Sequence, residues 1–200
     1  KMHDGDILVH TGDVSGVTNM RELIEVNNWF ASLAGKYREI FFVPGNHDGQ
    51  FEDFYAAEIL LSHATVLFDK MVEFDGYKIY GSPWTLTFFD WWFMKDHDKI
   101  QEVWDKIPDD VNILLTHQPP FMLLDRAMAL KEKKKIVNVG CKALRETCLT
   151  RLKKLQLNCF GHLHMDGGKT VEHNGIVFSN GAVLNDYYFM TNGPNVIDLP

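Results

Sequence analysis

The sequence has 200 residues, of which 46 % are hydrophobic and 24 % charged, so it is long enough for one domain with a sizeable core over residues 1–200. A formal net charge of -7 and a pI near 5.7 argue against a broad basic face. We therefore expect no stable nucleic-acid complex and no attachment to a membrane, and no apolar run is long enough to span a bilayer.

Strands and a helix alternate in the first part of the chain. Residues 6–11 (DILVHT) and 39–43 (EIFFV) predict two strands. Between them, apolar residues recur at helical spacing: Leu23, Val26, Phe30 and Leu33. A strand, a helix and a strand in succession predict a parallel sheet covered by helices. A further helix is predicted over residues 52–61.

Further strands and one helix are predicted in the rest of the chain. Asp75-Gly76 and Asn174-Gly175 indicate the tight turns of two β-hairpins. The remaining predictions are a helix over 141–155 and strands over 111–116, 157–160, 187–190 and 195–199. Residues 120–140 yield no clear prediction.

Three cysteines are present, and their spacing matches neither a disulfide framework nor a zinc ribbon. They are Cys141, Cys148 and Cys159. We interpret them as reduced thiols, which indicates an intracellular protein, and we expect a cytoplasmic location.

A short polar motif follows each of four apolar runs. The motifs are GD at 12–13, GNHD at 45–48, TH at 116–117 and GHLH at 161–164. Because the carboxyl ends of parallel strands lie along one edge of a sheet, these loops are predicted to converge. The metal-ligating candidates that they contain are Asp13, Asn46, His117, His162 and His164. Carboxylate, amide and imidazole donors without thiolates suit Mn²⁺, Fe²⁺ or Zn²⁺ and differ from a structural zinc site.

Each motif taken alone also has a purely structural explanation. Asp13 could be a turn residue or helix cap, and GNHD could be a tight turn. His117 could be a strand-end histidine bonded to backbone. GHLH is the most telling motif, because His162 and His164 would point to the same side of an extended strand. The occurrence of all four motifs at successive strand ends favours a functional site.

In this order, the motifs resemble the calcineurin-like metallophosphoesterase superfamily, whose signature runs D-x-H, GD, GNH[DE], a lone histidine and GHxH. HTGD, YGSPW, HQPP and VGC are similar to the class III phosphodiesterase-like proteins of that superfamily. The resemblance implies a four-layer α/β/β/α sandwich with a centre of two divalent metal ions, Mn, Fe or Zn. The ligands that it implies are Asp13 between both ions, Asn46, His117 and His162 at the second ion, and His164 at the first.

The D-x-H motif has no counterpart ahead of GDILVHTGD. In the family, this motif supplies an aspartate and a histidine to the first metal from the first strand. The sequence starts at Lys1 without an initiator methionine. We therefore expect the motif and its strand to lie in a segment upstream of Lys1.

The resemblance implies a metal-dependent phosphodiesterase that hydrolyses small-molecule phosphodiesters, cyclic nucleotides among them, by attack of a metal-activated hydroxide. His47 would donate a proton to the leaving oxygen, and Asp48 would fix the tautomer and tilt of that imidazole. No arginine adjoins a motif, which favours a diester over a monoester. The alternatives are a phosphomonoesterase or protein phosphatase, and a catalytically impaired binding scaffold of the same fold. The sequence leaves the oligomeric state open.

Two further features have two explanations each. The aromatic segment 82–94 (SPWTLTFFDWWFM) could stack a nucleobase beside the site, or it could pack into the core or a dimer surface. Asn180, at the end of a late strand, could approach the metals or begin a turn.

Overall fold

The structure is a computed structural model, and it describes residues 2–17, 19–52, 59–130 and 135–200. Three parallel strands form the first of two large sheets. They are β1 (Ile7–His10), β2 (Glu39–Phe42) and β3 (Thr65–Val66), with β2 in the middle. A 3-10 turn, Gly49–Glu52, follows β2, and residues 53–58 of the helix predicted over 52–61 lie outside the described residues.

The second large sheet has six strands. They are β4 (Lys70–Phe74), β5 (Tyr77–Ser82), β8 (Ile113–Thr116), β11 (Leu157–Phe160), β12 (Lys169–His173) and β13 (Ile176–Asn180). Their order is β12-β13-β11-β8-β5-β4, in which the four inner strands are parallel and both edge strands are antiparallel. The hairpin turns predicted at Asp75-Gly76 and Asn174-Gly175 are confirmed, since all four residues have positive φ, as type I′ turns require.

Two small sheets, three helices and a 3-10 turn over His164–Asp166 complete the described elements. The strand pairs are β6 (Thr85–Leu86) with β7 (Met94–Lys95), and β9 (Arg126–Met128) with β10 (Ile136–Asn138). The helices are α1 (Met20–Ser32), α2 (Gln101–Trp104) and α3 (Lys142–Glu146), which continues as a π-helical turn over Thr147–Arg151. Within the described ranges, no helix has both the length and the apolar character that a membrane span requires.

The two large sheets pack face to face, with helices on their outer sides. Successive residues of a strand point to opposite faces. On β2, Phe42 packs in a cluster with α1, whereas Phe41 packs between the sheets. On β8, Leu114 packs in a cluster with α2 and α3, whereas Leu115 packs between the sheets. The layers are therefore α1, the first sheet, the second sheet and α2 with α3, which confirms the predicted α/β/β/α sandwich.

Several predicted elements differ from the structure. The helix predicted over 141–155 ends early, because the backbone is no longer helical at Leu152, and Leu155 reaches the core beyond that point. The strand predicted over 187–190 is part of a closed turn, and among the described residues 195–199 pair with no strand. Ile197 and Leu199 instead pack against the core between the sheets, and an apolar run alone does not separate these cases.

Candidate metal centre

The four polar loops lie at the carboxyl ends of strands from two different sheets. GD follows β1 and GNHD follows β2 in the first sheet, whereas TH ends β8 and GHLH follows β11 in the second. The prediction that they share one edge of a single sheet is therefore wrong. They converge because the two sheets face each other with their carboxyl edges on the same side of the molecule.

Asp13, His117 and His162 place one ligand atom each within 4.8 Å of one another. His117 Nε2 lies 3.2 Å from Asp13 Oδ2 and 3.1 Å from Asn46 Oδ1. The rings of His117 and His162 meet edge to face, with their centroids 4.9 Å apart. The structure therefore brings together four of the five residues predicted to bind metal.

The fifth candidate, His164, lies outside this group. Its Nδ1 is 3.1 Å from the carbonyl oxygen of Asn185, and its ring contacts the edge of Tyr188. The extended backbone predicted for the GHLH motif is wrong, because His162 has a φ of +64°. The N–H of Leu163 donates to the carbonyl of Gly161 at 2.7 Å and closes a tight turn. His162 therefore faces His117, and the role of His164 at a first ion stays a prediction.

The hydrogen-bonding atoms at this point fit a cation. His117 Nδ1 lies 2.6 Å from the carbonyl oxygen of Thr11, so Nδ1 carries the ring proton and donates it. In the neutral ring, Nε2 then has a lone pair, as do the Asn46 and Asp13 oxygens that it faces. Among the described residues, Asn46 Nδ2 is buried without a hydrogen-bond partner. With the His117 ring neutral, these three lone pairs would form the donor set of a metal ion, whereas a proton on Nε2 would bridge the same atoms without the ion.

The ionisable side chains of this group shift one another's pKa values. Burial raises the pKa of Asp13, but the charge and hydrogen bond of His117, together with His162 and the N–H of His47, hold that pKa below its ordinary value. Burial lowers the pKa of His117, but the charge and hydrogen bond of Asp13 raise it. The net shift of this pKa is upward. Burial and the charge of His117 lower the pKa of His162 to about 3. His162 is therefore neutral at pH 7, with a lone pair for a metal.

His47 is oriented by a backbone carbonyl. Its Nδ1 lies 2.6 Å from the carbonyl oxygen of Gly16, and its ring stacks on Trp91 with the centroids 4.2 Å apart. The backbone N–H of His47 donates to Asp13 Oδ1 at 3.0 Å. The half-buried ring is therefore held beside Asp13 with Nε2 as the atom that can exchange a proton.

Asp48 joins two loops and does not orient the ring of His47, so the role predicted for it is wrong. Its carboxylate is fully buried and accepts hydrogen bonds from four backbone N–H groups. The donors are Asp13, Val14, Ser15 and Gly45, at 2.7 to 3.0 Å. The pKa of Asp48 is raised above its ordinary value, first by burial and next by the charge of Asp13. The N–H groups of Gly45 and Ser15 oppose this shift. Asp48 thereby fixes the GD loop of β1 against the GNHD loop of β2.

Replacing Asp48 by asparagine is expected to lower the free energy of unfolding by roughly 3 kcal/mol, because one carboxylate oxygen becomes an NH₂ group that faces N–H donors. Urea denaturation measures this change. Asp105→Asn is the matched control, since Asp105 is exposed and accepts only from Gln101 on its own helix in the described structure. Equal stability of the two variants would contradict the role assigned to Asp48.

Two features with open explanations are resolved by their contacts. Asn180 is fully buried, and its Nδ2 donates to the carbonyls of Leu163 at 2.8 Å and Leu124 at 3.1 Å, while its Oδ1 accepts from Ala182. It therefore supports the GHLH loop. The sequence signal for this role was a polar residue at the end of a strand. Asn180 can support the GHLH loop because it lies directly opposite Phe160, the last residue of β11, which precedes that loop.

The aromatic segment 82–94 divides between the core and the site. Trp84 and Phe93 pack in the apolar cluster beneath the first sheet. Trp91 stacks on His47, and Phe88 meets His162 edge to face with the ring centroids 5.4 Å apart. Sequence reasoning did not select these two rings, because every aromatic residue in the segment has the same apolar character.

A four-layer sandwich with carboxylate, amide and imidazole side chains at the carboxyl edges of its two sheets is the architecture of a metallophosphoesterase. Residues 1–166 match the family model of the calcineurin-like phosphoesterases, and the chain belongs to that family. The family predicted from the four motifs is therefore confirmed.

Similar proteins are known from several animals. The chain is 31% identical over 225 residues to human metallophosphoesterase domain-containing protein 1, and the match covers 100% of the chain and 66% of that protein. It is 32% identical over 214 residues to the Caenorhabditis elegans UPF0046 protein C25E10.12, covering 98% of the chain and 74% of that protein. The chain thus spans just under two thirds of the length of the human relative.

A solved structure supports the fold. The crystal structure of TT1561 of Thermus thermophilus superposes with a TM-score of 0.57 at 13% sequence identity. The superposition covers 88% of this chain and 76% of that chain. This likeness confirms the mixed α/β fold with parallel sheets.

Proposed function

We propose that the protein is a metal-dependent phosphodiesterase that acts on small-molecule phosphodiesters. The observation that carries the proposal is the convergence of Asp13 Oδ2 and Asn46 Oδ1 on His117 Nε2 at 3.1 to 3.2 Å, with the ring of His162 beside them. Membership of the calcineurin-like phosphoesterases supports metal-dependent hydrolysis of phosphoesters.

The ligand set would serve one or two divalent ions. Asp13, Asn46, His117 and His162 would hold one ion, and Asp13 with His164 would contribute to a second. Divalent ions of the Mn, Fe or Zn type would supply charge to polarise a phosphoryl group and to lower the pKa of water. Thr11 would keep His117 in the tautomer that presents Nε2, through its carbonyl contact with Nδ1.

His47 would supply the proton for the leaving oxygen. The Gly16 carbonyl holds its Nδ1–H, so a second proton on Nε2 makes the ring an imidazolium that can act as a general acid. The bond from the His47 N–H to Asp13 fixes its distance from the ligand set. Loss of the Nε2 proton to the leaving group would leave a neutral ring still bonded to Gly16.

The charges around the site favour a diester. Arg126 forms hydrogen bonds to both carboxylate oxygens of Asp166, and Lys169 contacts the same carboxylate at 2.8 Å. The two cations that flank the GHLH loop are thus paired with a buried acid. A diester carries one negative charge at neutral pH, whereas a monoester carries up to two and needs more positive charge around it.

The test is hydrolysis of bis(p-nitrophenyl) phosphate and of p-nitrophenyl phosphate by the natural full-length polypeptide with added Mn²⁺. We expect turnover of the diester to exceed that of the monoester and to disappear on chelation. Restoration by Mn²⁺, Zn²⁺ or Fe²⁺ after chelation identifies the ion that the site uses.

A faster monoester reaction would contradict the diester proposal and favour a phosphomonoesterase. No turnover of either compound with any of the three ions would favour a binding scaffold of this fold. Calorimetric titration of the ions separates a scaffold that binds metal from one that does not.

A further inference from the structure

The hairpin of β9 and β10 turns its larger apolar side chains outward. Met128 and Ile136 pair directly across the two strands, and they are 50% and 54% exposed. Their strand neighbours Ala127 and Val137 point to the opposite face and are half-buried. Leu130 continues the alternation beyond Met128 and is 73% exposed. Large apolar side chains normally occupy the inward face of a half-buried strand, so the hairpin has the reverse arrangement.

The base of the hairpin is fixed by a buried carboxylate. Asp125 is fully buried, and its side chain accepts hydrogen bonds from the N–H of Met122 at 2.9 Å and from that of Gly140 at 2.8 Å. The side-chain amide of Asn138 donates to the same carboxylate. Both ends of the hairpin are therefore held. We call Met128, Leu130 and Ile136 the outer face of the hairpin, and a fixed face that keeps such side chains in water is typical of an interaction surface.

The hairpin is also attached to the GHLH loop of the candidate metal centre. The Nε of Arg126 donates to both carboxylate oxygens of Asp166, at 3.1 and 3.0 Å, two residues after the GHLH motif. The carbonyls of Leu124 and Leu163 both accept from Nδ2 of Asn180. An occupant of the outer face would therefore lie close to the candidate metal centre.

The connection between β9 and β10 is basic. Residues 131–135 (KEKKK) contain four lysines and one glutamate, which give a local net charge of +3 in a chain whose total is -7. Residues 131–134 lie outside the described residues, and their charge follows from the sequence. Charges farther away than about 8 Å are largely screened at physiological ionic strength, so the acidic remainder of the chain does not cancel this segment. The expectation of no membrane attachment, which rests on the total charge, therefore does not extend to the hairpin.

Three kinds of occupant differ in what they require of this face. A second copy of the chain in a two-fold dimer would bring the two basic connections together, and like charges repel. A stable protein interface buries about 800 Å² on each partner, far more than three side chains offer. A bilayer needs only apolar side chains that enter its surface and cations that meet anionic headgroups. The outer face and the basic connection match the bilayer.

We infer that the outer face of the hairpin docks the protein on an anionic phospholipid surface. Met128, Leu130 and Ile136 would enter the boundary between the headgroups and the acyl chains, and the basic connection would meet the headgroups. Docking of this kind requires neither a bound metal nor turnover, so the inference does not depend on the proposed phosphodiesterase function.

The experiment is sedimentation of the protein with two sets of vesicles. One set is phosphatidylcholine alone, and the other is phosphatidylcholine and phosphatidylserine in equal parts. The wild type should bind the anionic vesicles at least about tenfold more tightly, because each lysine near an anionic surface contributes about fivefold. Added salt should weaken this binding. Met128→Gln and Ile136→Gln should each weaken it by about tenfold, since each removes one apolar side chain from the outer face.

Two further variants test the source of the effect. Ile24→Gln is the matched control, because Ile24 is 49% exposed on α1 on the outer side of the first sheet, and it should bind as the wild type does. Lys135→Gln should weaken binding to the anionic vesicles by about fivefold and leave binding to phosphatidylcholine unchanged. All the replaced side chains are half-exposed or more, so urea denaturation should give the stability of the wild type for each variant.

The outcomes distinguish the occupants. No binding of the wild type to either set of vesicles, or equal binding of the wild type, Met128→Gln and Ile136→Gln, would overturn the inference. Equal affinity of the wild type for both sets would also overturn the assignment to an anionic surface. Dimerisation that is lost in Ile136→Gln would assign the face to a second copy of the chain, and binding of a glutamate–tyrosine copolymer in place of vesicles would assign it to an acidic protein.

Discussion

Replacing Asp13 by asparagine is expected to weaken binding of divalent metal by more than about 100-fold, because loss of partners outside the ligand set alone costs about 10–100-fold. Asp13 supplies the only carboxylate in the group of three ligand atoms found among the described residues. Asparagine keeps an oxygen that can accept from the His47 N–H, so the loop geometry is preserved while the charge is lost. Phosphodiester hydrolysis should fall by at least the same factor at metal concentrations well below the dissociation constant of the wild type.

Calorimetric titration with Mn²⁺ measures the affinity, and the diester assay measures the activity. Asp109→Asn is the matched control, because Asp109 is 76% exposed in its side chain and pairs with Arg151 on the surface. Metal affinity of Asp13→Asn equal to that of the control would show that Asp13 is not a ligand. Full activity with weakened metal binding would show that the bound ion is not needed for catalysis.

For a diester with a poor alkoxide leaving group, His47→Ala is expected to lower kcat by about 10²–10⁴-fold, the range that one general acid contributes, and to leave metal affinity nearly unchanged. The reason is geometric. His47 Nδ1 is bonded to the Gly16 carbonyl and its ring stacks on Trp91, so it adjoins the ligand group but is not one of its members.

Substrates with different leaving groups distinguish a proton donor from a structural residue. The loss in His47→Ala should be largest for a diester with a poor alkoxide leaving group and small for p-nitrophenolate, which needs little protonation. His97→Ala is the control, since His97 is exposed and distant in sequence from every motif. An equal loss for all leaving groups, or loss of metal affinity, would refute the role of His47 as the acid.

The contrast between the two variants also separates the two parts of the site. Asp13→Asn should fail in metal binding and, in consequence, in catalysis. His47→Ala should fail in catalysis alone. A protein that shows the first pattern in both variants would have a single cooperative site in which His47 is needed for the ligands to assemble.

Most of the fold was predictable because the strands of the two large sheets carry their own local signals. The apolar run in EIFFV and the Asp-Gly and Asn-Gly turns define strands and hairpins without reference to distant residues. The helical spacing of Leu23 and Phe30 is confirmed by their burial against the first sheet. The failures lie at the end of the helix predicted over 141–155, in the extended backbone predicted for GHLH, and at 187–190 and 195–199, where apolar residues belong to a turn and to a segment that covers the core.

The residues of the candidate site were also identifiable from the sequence, since they follow strands in recognisable order. Their roles were less so. The sequence predicts that Asp48 pairs with its neighbour His47. In the structure its carboxylate instead accepts hydrogen bonds from the N–H groups of residues 13–15. A contact between residues more than 30 positions apart depends on how β1 and β2 pair, which the local sequence does not encode.

By itself, the sequence determined the family, the layered α/β fold and the set of polar residues at the strand ends, because these follow from short local patterns. Only the tertiary structure decided that the loops come from two facing sheets, that Gly16 orients His47, and that Tyr188 and Phe88 flank the GHLH motif. These features are set by sheet stacking and by side-chain packing across the site. Distances between remote segments arise from the whole fold, so they have no signature in the order of the residues.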